Sequence, residues 1–276
     1  MSKDAPLAGV LGYPISHSKS PRIHGHWLEK YGLRGFYMPL PVAPAHFENV
    51  LRTLPRMGYV GANVTIPHKV RALKCADIVT DRASLIGAAN TLIFRPDGKV
   101  MADNTDGYGF IENIRQAAPK WDFKEGSAVV IGAGGAARAV VVSLLDVGVP
   151  EIILSNRTRI KAESLKEEFS NRIKVVDWAG LGSVLEDVKT IVNATSLGMS
   201  GQADLRVPLD GLRPGQLVTD LVYDPLETPL LAQAREAGCT VVDGLGMLLH
   251  QAVPGFERWF GHRPVVDNTL RKMLLS

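Results

Sequence analysis

Six residues from Gly132 to Ala137 read Gly-Ala-Gly-Gly-Ala-Ala, directly after the apolar run Ala128–Ile131 and directly before a helical stretch that reaches Leu145. In such a turn the first glycine permits a sharp reversal and the second lets backbone approach a pyrophosphate. A small residue at the last position, here Ala137, permits close helix–strand packing. Amides at the start of the helix then face the phosphate charge. Gly132, Ala133, Gly134, Gly135 and Ala136 are therefore the expected contacts of a dinucleotide; a glycine-rich turn of any α/β protein is the bland alternative.

The end of the following strand selects among dinucleotides. An acidic residue there would meet a free ribose 2′-hydroxyl and repel a 2′-phosphate. The chain instead reads Ser155-Asn156-Arg157-Thr158-Arg159, with Lys161 one turn later. Arg157 can pair with a phosphate and stack on adenine, Thr158 can donate its hydroxyl, and Lys161 adds charge; Asn156 is counted with them as a cofactor contact. NADP is the expected cofactor, against the alternative of a solvated basic helix start.

A hydride carrier needs a group that moves a proton to or from the reacting oxygen. Three polar clusters in the first half offer candidates: Gly12 to Pro21, with Ser16, Ser18 and Lys19; Ala62 to Lys69, with Asn63, Thr65 and Lys69; and Asn90-Thr91 with Asp103 to Gly107, which holds Asp106. Singly each has an ordinary reading: helix caps for Ser18, Ser20 and Asp106, and a solvated cation for Lys69. His17, His24 and His26 resemble a metal set on paper. No cysteine or acid stands at ligand spacing around them, so no metal is expected and the three read as structural or solvent-facing.

The elements that must position these residues alternate. Leu7–Leu11 reads as a strand, and Ser20-Pro21 as an N-cap followed by Pro at the first helical position of a helix toward Tyr31. Phe36, Met38 and Leu40 alternate as in a strand, while Phe47, Val50, Leu51 and Leu54 form one helical face. Gly61–Ile66 is a further strand, and Thr91–Phe94 and Lys99–Met101 flank a Pro-Asp-Gly hairpin turn. From a helix over Tyr108–Ala117 onward the pattern becomes regular β-α-β, with strands near 128–131, 151–155, 173–176, 189–193 and 217–221. Leu245–Phe260 and Asp267–Leu275 read as terminal helices. The fold class is α/β in two domains.

Composition narrows the function classes. With 31 Lys and Arg against 28 Asp and Glu, the net charge of +3 is mild and no dense basic run appears, so nucleic acid is a poor partner. No apolar stretch nears the ~20 residues of a membrane span. Met1–Pro6 lacks the apolar core of a signal peptide. Cys75 and Cys239 read as reduced, buried thiols, which points to the cytoplasm.

Taken together, the stretches GYPISHSKSP, GANVTIPHK, GAANT, DNTDG, GAGGAAR, NRT, NATS and DGLGMLLHQA resemble the shikimate dehydrogenase family, in family order and over nearly the whole chain. The resemblance implies reversible NADPH-dependent reduction of 3-dehydroshikimate to shikimate, in the route to aromatic amino acids. It also implies a mixed-sheet substrate-binding domain over 1–106, completed by C-terminal helices over 245–276, with a Rossmann-type NADP-binding domain over 107–244. By motif, Lys69 and Asp106 would be the catalytic pair. Ser16 and Ser18 would bind the substrate carboxylate with Tyr223 near it, and Asn63, Thr65, Asn90 and Gln251 would hold ring hydroxyls. Gly244 and Met247 would meet the nicotinamide, and Ala194, Thr195 and Leu221 would line its site. Asp81 matches a position near the cofactor but reads equally well as a helix cap. Lys161 stands where some members carry Arg. His68, beside Lys69, reads as a packing or surface group.

Two rivals follow. One is a relative that also oxidises quinate, or uses NAD or both cofactors; having both Ser16 and Ser18 favours shikimate. The other is a ligand-sensing protein that lost the chemistry, which the presence of both Lys69 and Asp106 disfavours. Monomer and homodimer stay equally open.

Overall fold

A computed structural model describes residues 5–169 and 171–276. Most of Met1–Pro6, the polar start noted above, lies outside the described residues. The chain divides into two compact units: one of residues up to Thr105 together with Leu249–Ser276, the other of Asp106–Leu248.

The first unit is built on a six-stranded mixed sheet. Its strands are β1 (Leu7–Gly12), β2 (Phe36–Pro41), β3 (Tyr59–Val64), β4 (Ile78–Val79), β5 (Thr91–Phe94) and β6 (Val100–Asp103), in the order β2-β1-β3-β5-β6-β4. β2, β1 and β3 are parallel, while β5 runs antiparallel to both β3 and β6. The Pro-Asp-Gly hairpin is present, closed by Arg95 N–H donating to the Lys99 carbonyl at 2.9 Å. Helices α1 (Ser20–Lys30), α2 (Phe47–Thr53), α3 (Lys69–Cys75) and α4 (Asp81–Ile86) come from the first stretch of chain. One core packs Leu11, Phe47, Leu51, Val64, Ala72 and Leu92; on another, Ala8, Val10, Ile15 and Tyr37 meet Trp259.

Several sequence expectations shift. Ser20 is the first helical residue rather than the cap, and Lys19 occupies the cap position without a side-chain capping bond; the Ser18 hydroxyl instead accepts from Ser20 N–H at 3.3 Å. Likewise Thr80, not Asp81, caps α4 by accepting from Ala83 N–H. In β2 burial does not follow the alternation read from Phe36, Met38 and Leu40: of these only Leu40 is half-buried against the core. Phe36 and Met38 are exposed on this edge strand, and the intervening Tyr37 is buried. Periodicity cannot say which face of an edge strand meets the core. Cys75 and Cys239 are free but half-buried rather than fully buried. The terminal helix is interrupted at Gln251-Ala252, giving Leu245–His250 and Val253–Phe260.

The second unit is a parallel sheet with strands β7 (Ala128–Ile131), β8 (Ile152–Ser155), β9 (Ile173–Val175), β10 (Thr190–Asn193), β11 (Leu217–Asp220) and β12 (Thr240–Val242) in the order β12-β11-β10-β7-β8-β9. This is the doubly wound dinucleotide-binding order, with its switch point between β7 and β10. Every residue of β7 and β10 is buried, as a sheet covered on both faces requires. Helices α5 (Asp106–Ala117), α6 (Gly135–Asp146), α7 (Arg159–Phe169), α8 (Pro229–Glu236) and α9 (Leu245–His250) accompany it, followed in chain order by α10 (Val253–Phe260) and α11 (Asn268–Leu275) of the first unit. Phe110, Ile114, Val140 and Leu144 fill one core; Leu181, Leu185, Leu230 and Leu231 fill another. Among the described residues no helix is long and apolar enough to cross a membrane.

The C-terminal helices of the first unit are held by specific bonds. Trp259 Nε1 donates to the Leu92 carbonyl at 3.0 Å, and its indole lies where any Cβ on Gly61 would fall. Trp27 Nε1 donates to the Val265 carbonyl at 3.3 Å, and Lys30 pairs with Asp267 at 2.5 Å while Asp267 caps α11. The Asp103 carboxylate, fully buried, accepts from Thr80 Oγ1 at 2.8 Å, Arg82 Nη2 at 3.2 Å and Arg258 Nη1 at 3.1 Å, which ties α10 to the sheet. An aliphatic side chain at Asp103 would leave both guanidiniums without that carboxylate.

Candidate functional site

In the second unit the glycine turn has the form its sequence predicts. Gly132 adopts φ +117°, and a Cβ there would fall 2.9 Å from the Ala194 carbonyl oxygen and 3.0 Å from Thr195 Cγ2. Only glycine combines that left-handed backbone with so close an approach. Its N–H donates to the Ser155 carbonyl at 2.7 Å, which ties the turn to the end of β8. Gly134 caps α6 in extended conformation, and a Cβ on either it or Gly135 would point into open space. The first turn of α6 thus opens onto free space bounded by backbone amides, as a pyrophosphate requires. Ala137 is fully buried.

Beyond β8, Asn156 Nδ2 donates to the Thr158 carbonyl at 2.8 Å and fixes the loop on which Arg157, Thr158 and Lys161 are exposed. Arg159 differs from them. It pairs with Asp177 at 2.7 Å and Glu163 at 2.8 Å, so its charge is committed.

Thr195 is the second residue beyond β10. Its hydroxyl donates to Asn193 Oδ1 at 2.7 Å and accepts from Leu197 N–H at 3.0 Å. Asn193 in turn donates to Asp220 Oδ1 at 2.9 Å, and Thr228 Oγ1 donates to Asp220 Oδ2 at 2.8 Å. Burial pushes the Asp220 carboxyl above the usual range, and the bonds from Val222 N–H, Thr228 and Asn193 oppose that shift. Asn193, Asp220 and Thr228 fix the loops that carry Ala194, Thr195 and Leu221. Sequence reading missed this role, although the NATS run carries Asn193. A Cβ on Gly244 would fall 2.5 Å from the Leu221 carbonyl oxygen, so Gly244 lets the chain pass that loop. Met247 packs partly buried against the same core as α5 and α6. Tyr223 is half-buried, and desolvation followed by the charge of Asp224 raises its phenol.

In the first unit the structure brings together a buried polar network. Asn63 Nδ2 donates to the Asn90 carbonyl at 3.1 Å and to Thr91 Oγ1 at 3.3 Å, and Asn63 Oδ1 accepts from the Tyr37 hydroxyl at 2.7 Å. Asn90 Oδ1 accepts from Thr105 N–H at 2.9 Å, and Asn90 Nδ2 donates to Gln251 Oε1 at 3.3 Å. Thr105 Oγ1 donates to the Gln251 carbonyl at 2.8 Å, so the C-terminal segment is part of this network. Tyr37 is a contributor that no sequence motif marked, while Thr105 lies in the DNTDG stretch without having been given a role of its own.

Two loops stand against this network. A Cβ on Gly12 would fall 2.6 Å from Thr65 Cγ2, so glycine there lets the loop of Ser16 and Ser18 lie against the loop of Thr65. Thr65 N–H donates to the Leu11 carbonyl at 2.9 Å and Tyr13 N–H to the Ile66 carbonyl at 3.1 Å. Ser16 is exposed and Ser18 half-buried. Lys69 opens α3, and its carbonyl accepts from Ala89 N–H at 2.9 Å, which seats it beside the Asn90 segment. His68 is a packing residue: it stacks on Phe47 at 4.5 Å and bonds the Val42 carbonyl at 2.6 Å. His24 is fully buried, stacked on Tyr37 at 3.9 Å, and burial pushes its pKa down to about 3. Asp81 is exposed at the start of α4, while Asp106 and Tyr223 belong to the second unit.

Three family models match successive stretches of the chain. Residues 10–92 match the family model for the shikimate dehydrogenase substrate binding domain, 114–199 that for shikimate / quinate 5-dehydrogenase, and 244–274 that for the shikimate 5′-dehydrogenase C-terminal domain. The chain is 66% identical to a shikimate dehydrogenase (NADP(+)) of Paracoccus denitrificans, covering 99% of this chain and 97% of that one. It is 57% identical to the protein of the same name from Jannaschia, over the full length of both. Among solved structures, a quinate dehydrogenase from Corynebacterium glutamicum in complex with NAD gives a TM-score of 0.91 at 29% identity, covering 99% of each chain. A shikimate 5-dehydrogenase from Thermus thermophilus in complex with NADP(H) and shikimate gives 0.85 at 33% identity, covering 97% of this chain and 99% of that one. Identity this high over nearly the whole length settles the matter of kinship: the chain belongs to the shikimate dehydrogenase family.

Proposed function

We propose that this protein is an NADP-dependent shikimate dehydrogenase, reducing 3-dehydroshikimate to shikimate and running in reverse, as a cytoplasmic step of aromatic amino acid biosynthesis. The observation that carries the cofactor choice is the end of β8. There Arg157 and Lys161 have no hydrogen-bond or ion-pair partner among the described residues for their charged heads, where an NAD enzyme places an acid. The residues present fit the cofactor: the space beyond Gly134 and Gly135 is open, and the amides of α6 bound it.

Gly132 to Ala136 would hold the pyrophosphate, and Asn156, Arg157, Thr158 and Lys161 the adenosine end. Ala194, Thr195, Leu221, Gly244 and Met247 would line the nicotinamide side, with Asp81 as an outlying contact. When bound, the cofactor supplies or accepts a hydride at the ring carbon bearing the reacting oxygen. Lys69 moves a proton to or from that oxygen at its Nζ, and Asp106 orients the ammonium and sustains its charge. Ser16 and Ser18 donate hydroxyls to the substrate carboxylate, near Tyr223. Asn63, Thr65, Asn90 and Gln251 read the ring hydroxyls. Both N–H groups of Asn63 are already engaged, so it meets the ligand as an acceptor through the remaining lone pair of Oδ1. A group that only accepts reads a hydroxyl and not a ketone.

Purified protein assayed with shikimate or quinate, each with NADP or NAD, tests the reading by absorbance of the reduced nicotinamide. The highest kcat/KM is expected for shikimate with NADP. Preferred turnover of quinate with NAD would replace this reading by the quinate-oxidising one that the likeness to the Corynebacterium enzyme favours.

A further inference from the structure

The second unit contains a cavity of about 430 Å³ lined by Arg157 from the loop after β8, Trp178 from the segment after β9, and Leu197, Gln202 to Asp204 and Arg206 from the connection between β10 and β11. That volume lies within the range of small-molecule sites. Its second arginine belongs to no motif read from the sequence. Like Arg157, Arg206 has a guanidinium with no hydrogen-bond or ion-pair partner among the described residues. Two such guanidiniums on one cavity repel each other, and Asp204, the only acid among the described lining residues, leaves a positive surplus. Arg159 nearby shows the contrast, being held by Asp177 and Glu163.

Arg206 is not a loose surface cation. Its carbonyl accepts from Trp178 Nε1 at 3.2 Å. Leu205, Val207 and Leu209 pack against the core of Leu181, Leu185 and Leu230, while Arg206 between them is exposed. Alternate residues therefore clamp the backbone and direct the arginine away from that core. A held backbone lowers the entropy lost when the guanidinium engages a ligand.

We propose that Arg206 is a second specificity-determining residue for the cofactor, binding with Arg157 the phosphate on the adenosine 2′-oxygen. This rests on the NADP-linked reading above. A planar guanidinium on each side of the phosphate provides charge-assisted, directional donors that a 2′-hydroxyl does not need. Arg206 thus acts on discrimination between the two nicotinamide dinucleotides and not on the chemical step.

The test compares wild type with Arg206→Ala and Arg206→Lys in shikimate oxidation with NADP and with NAD, alongside inhibition by 2′,5′-ADP and by 5′-ADP. For Arg206→Ala, KM for NADP should rise about tenfold, equivalent to about 1.4 kcal/mol, with kcat and KM for NAD unchanged. Inhibition by 2′,5′-ADP should weaken in step and that by 5′-ADP should not, and Arg206→Lys should recover part of the loss. An equal change with both dinucleotides, or no change with either, overturns the proposal. If wild type does not oxidise shikimate yet binds 2′,5′-ADP in an Arg206-dependent way, the enzymatic reading fails and the anion site stands. If wild type prefers NADP and Arg206→Ala keeps that preference in full, the site fails alone.

Discussion

Replacing Tyr37 by Phe removes one oxygen from the centre of the first unit and little else. The Tyr37 hydroxyl donates to Asn63 Oδ1 at 2.7 Å in a buried setting, and burial raises the phenol well above its ordinary range, so it remains a donor at any working pH. The ring stays, and so does its stack on His24 at 3.9 Å. The loss is therefore one buried hydrogen bond, with the Asn63 carbonyl left short of a donor. Stranding a buried acceptor costs about 1–3 kcal/mol. At ~2–4 °C per kcal/mol for a chain of this class, the melting temperature should fall by roughly 2–12 °C. A second consequence concerns substrate. With its N–H groups held by the Asn90 carbonyl and Thr91 and its oxygen by Tyr37, the Asn63 amide has one orientation. Without Tyr37 the oxygen is free to turn, so KM for shikimate should rise while kcat changes less. Thermal melting and steady-state kinetics on Tyr37→Phe measure both effects. A variant that melts with wild type and keeps its KM would show that Asn63 is fixed by the Asn90 and Thr91 bonds alone, and the reasoning would fail.

Other changes have equally definite outcomes. Lys69→Ala should lower kcat by about 10²–10⁴ with NADP affinity retained, as expected for removal of a general acid–base group; full activity at neutral pH removes Lys69 from the mechanism. Gly132→Ala should weaken NADP binding and lower stability by about 1–3 kcal/mol, because φ +117° and the Ala194 carbonyl 2.9 Å from the new Cβ both oppose it; wild-type dinucleotide titration and melting would contradict that geometry. His24 has a folded pKa of about 3, below the ordinary value of 6.5, so the unfolded chain binds the extra proton between those limits and stability falls as pH drops through that window, by ~1.4 kcal/mol per unit at most. His24→Phe should flatten that acid limb in pH-dependent melting curves, and an unchanged limb would assign it to other groups.

What could be read in the sequence was whatever is determined locally. The glycine turn, the hairpin around Pro96-Asp97-Gly98 and the fully buried strands β7, β8 and β10 each carry their reason within a few residues. Asn63 and Asn90 were visible as candidates for the same cause, Asn63 alternating with Thr65 near a strand end and Asn90 standing beside Thr91 at the start of β5. The burial of β2 was not legible, because the alternation of Phe36, Met38 and Leu40 is the same whether or not their face of this edge strand is covered. Nor were two short strands, Ile78–Val79 and Thr240–Val242, which exist through their partners β6 and β11 and not through their own pattern.

The residues missed at the sites share one property: their roles depend on partners far away in the chain. Tyr37 matters because Asn63 lies opposite, Arg258 because Asp103 is buried, and Arg206 because Arg157 lines the same cavity. None of these pairs has a characteristic spacing, and an exposed arginine or an edge-strand tyrosine carries no local signal. The Asp103 cluster shows what such a pairing achieves. A carboxylate with no exposure is stable only if donors surround it, and here they come from Thr80 and Arg82 at one point of the chain and Arg258 some 155 residues away. Asp103 stands three residues before Asp106 on the strand end that also carries Thr105, and Thr105 bonds both Asn90 and Gln251. The ion pair that holds α10 therefore also fixes the strand end on which the polar network converges. Closure of the first unit by the end of the chain and the alignment of its polar side chains are thus one structural event.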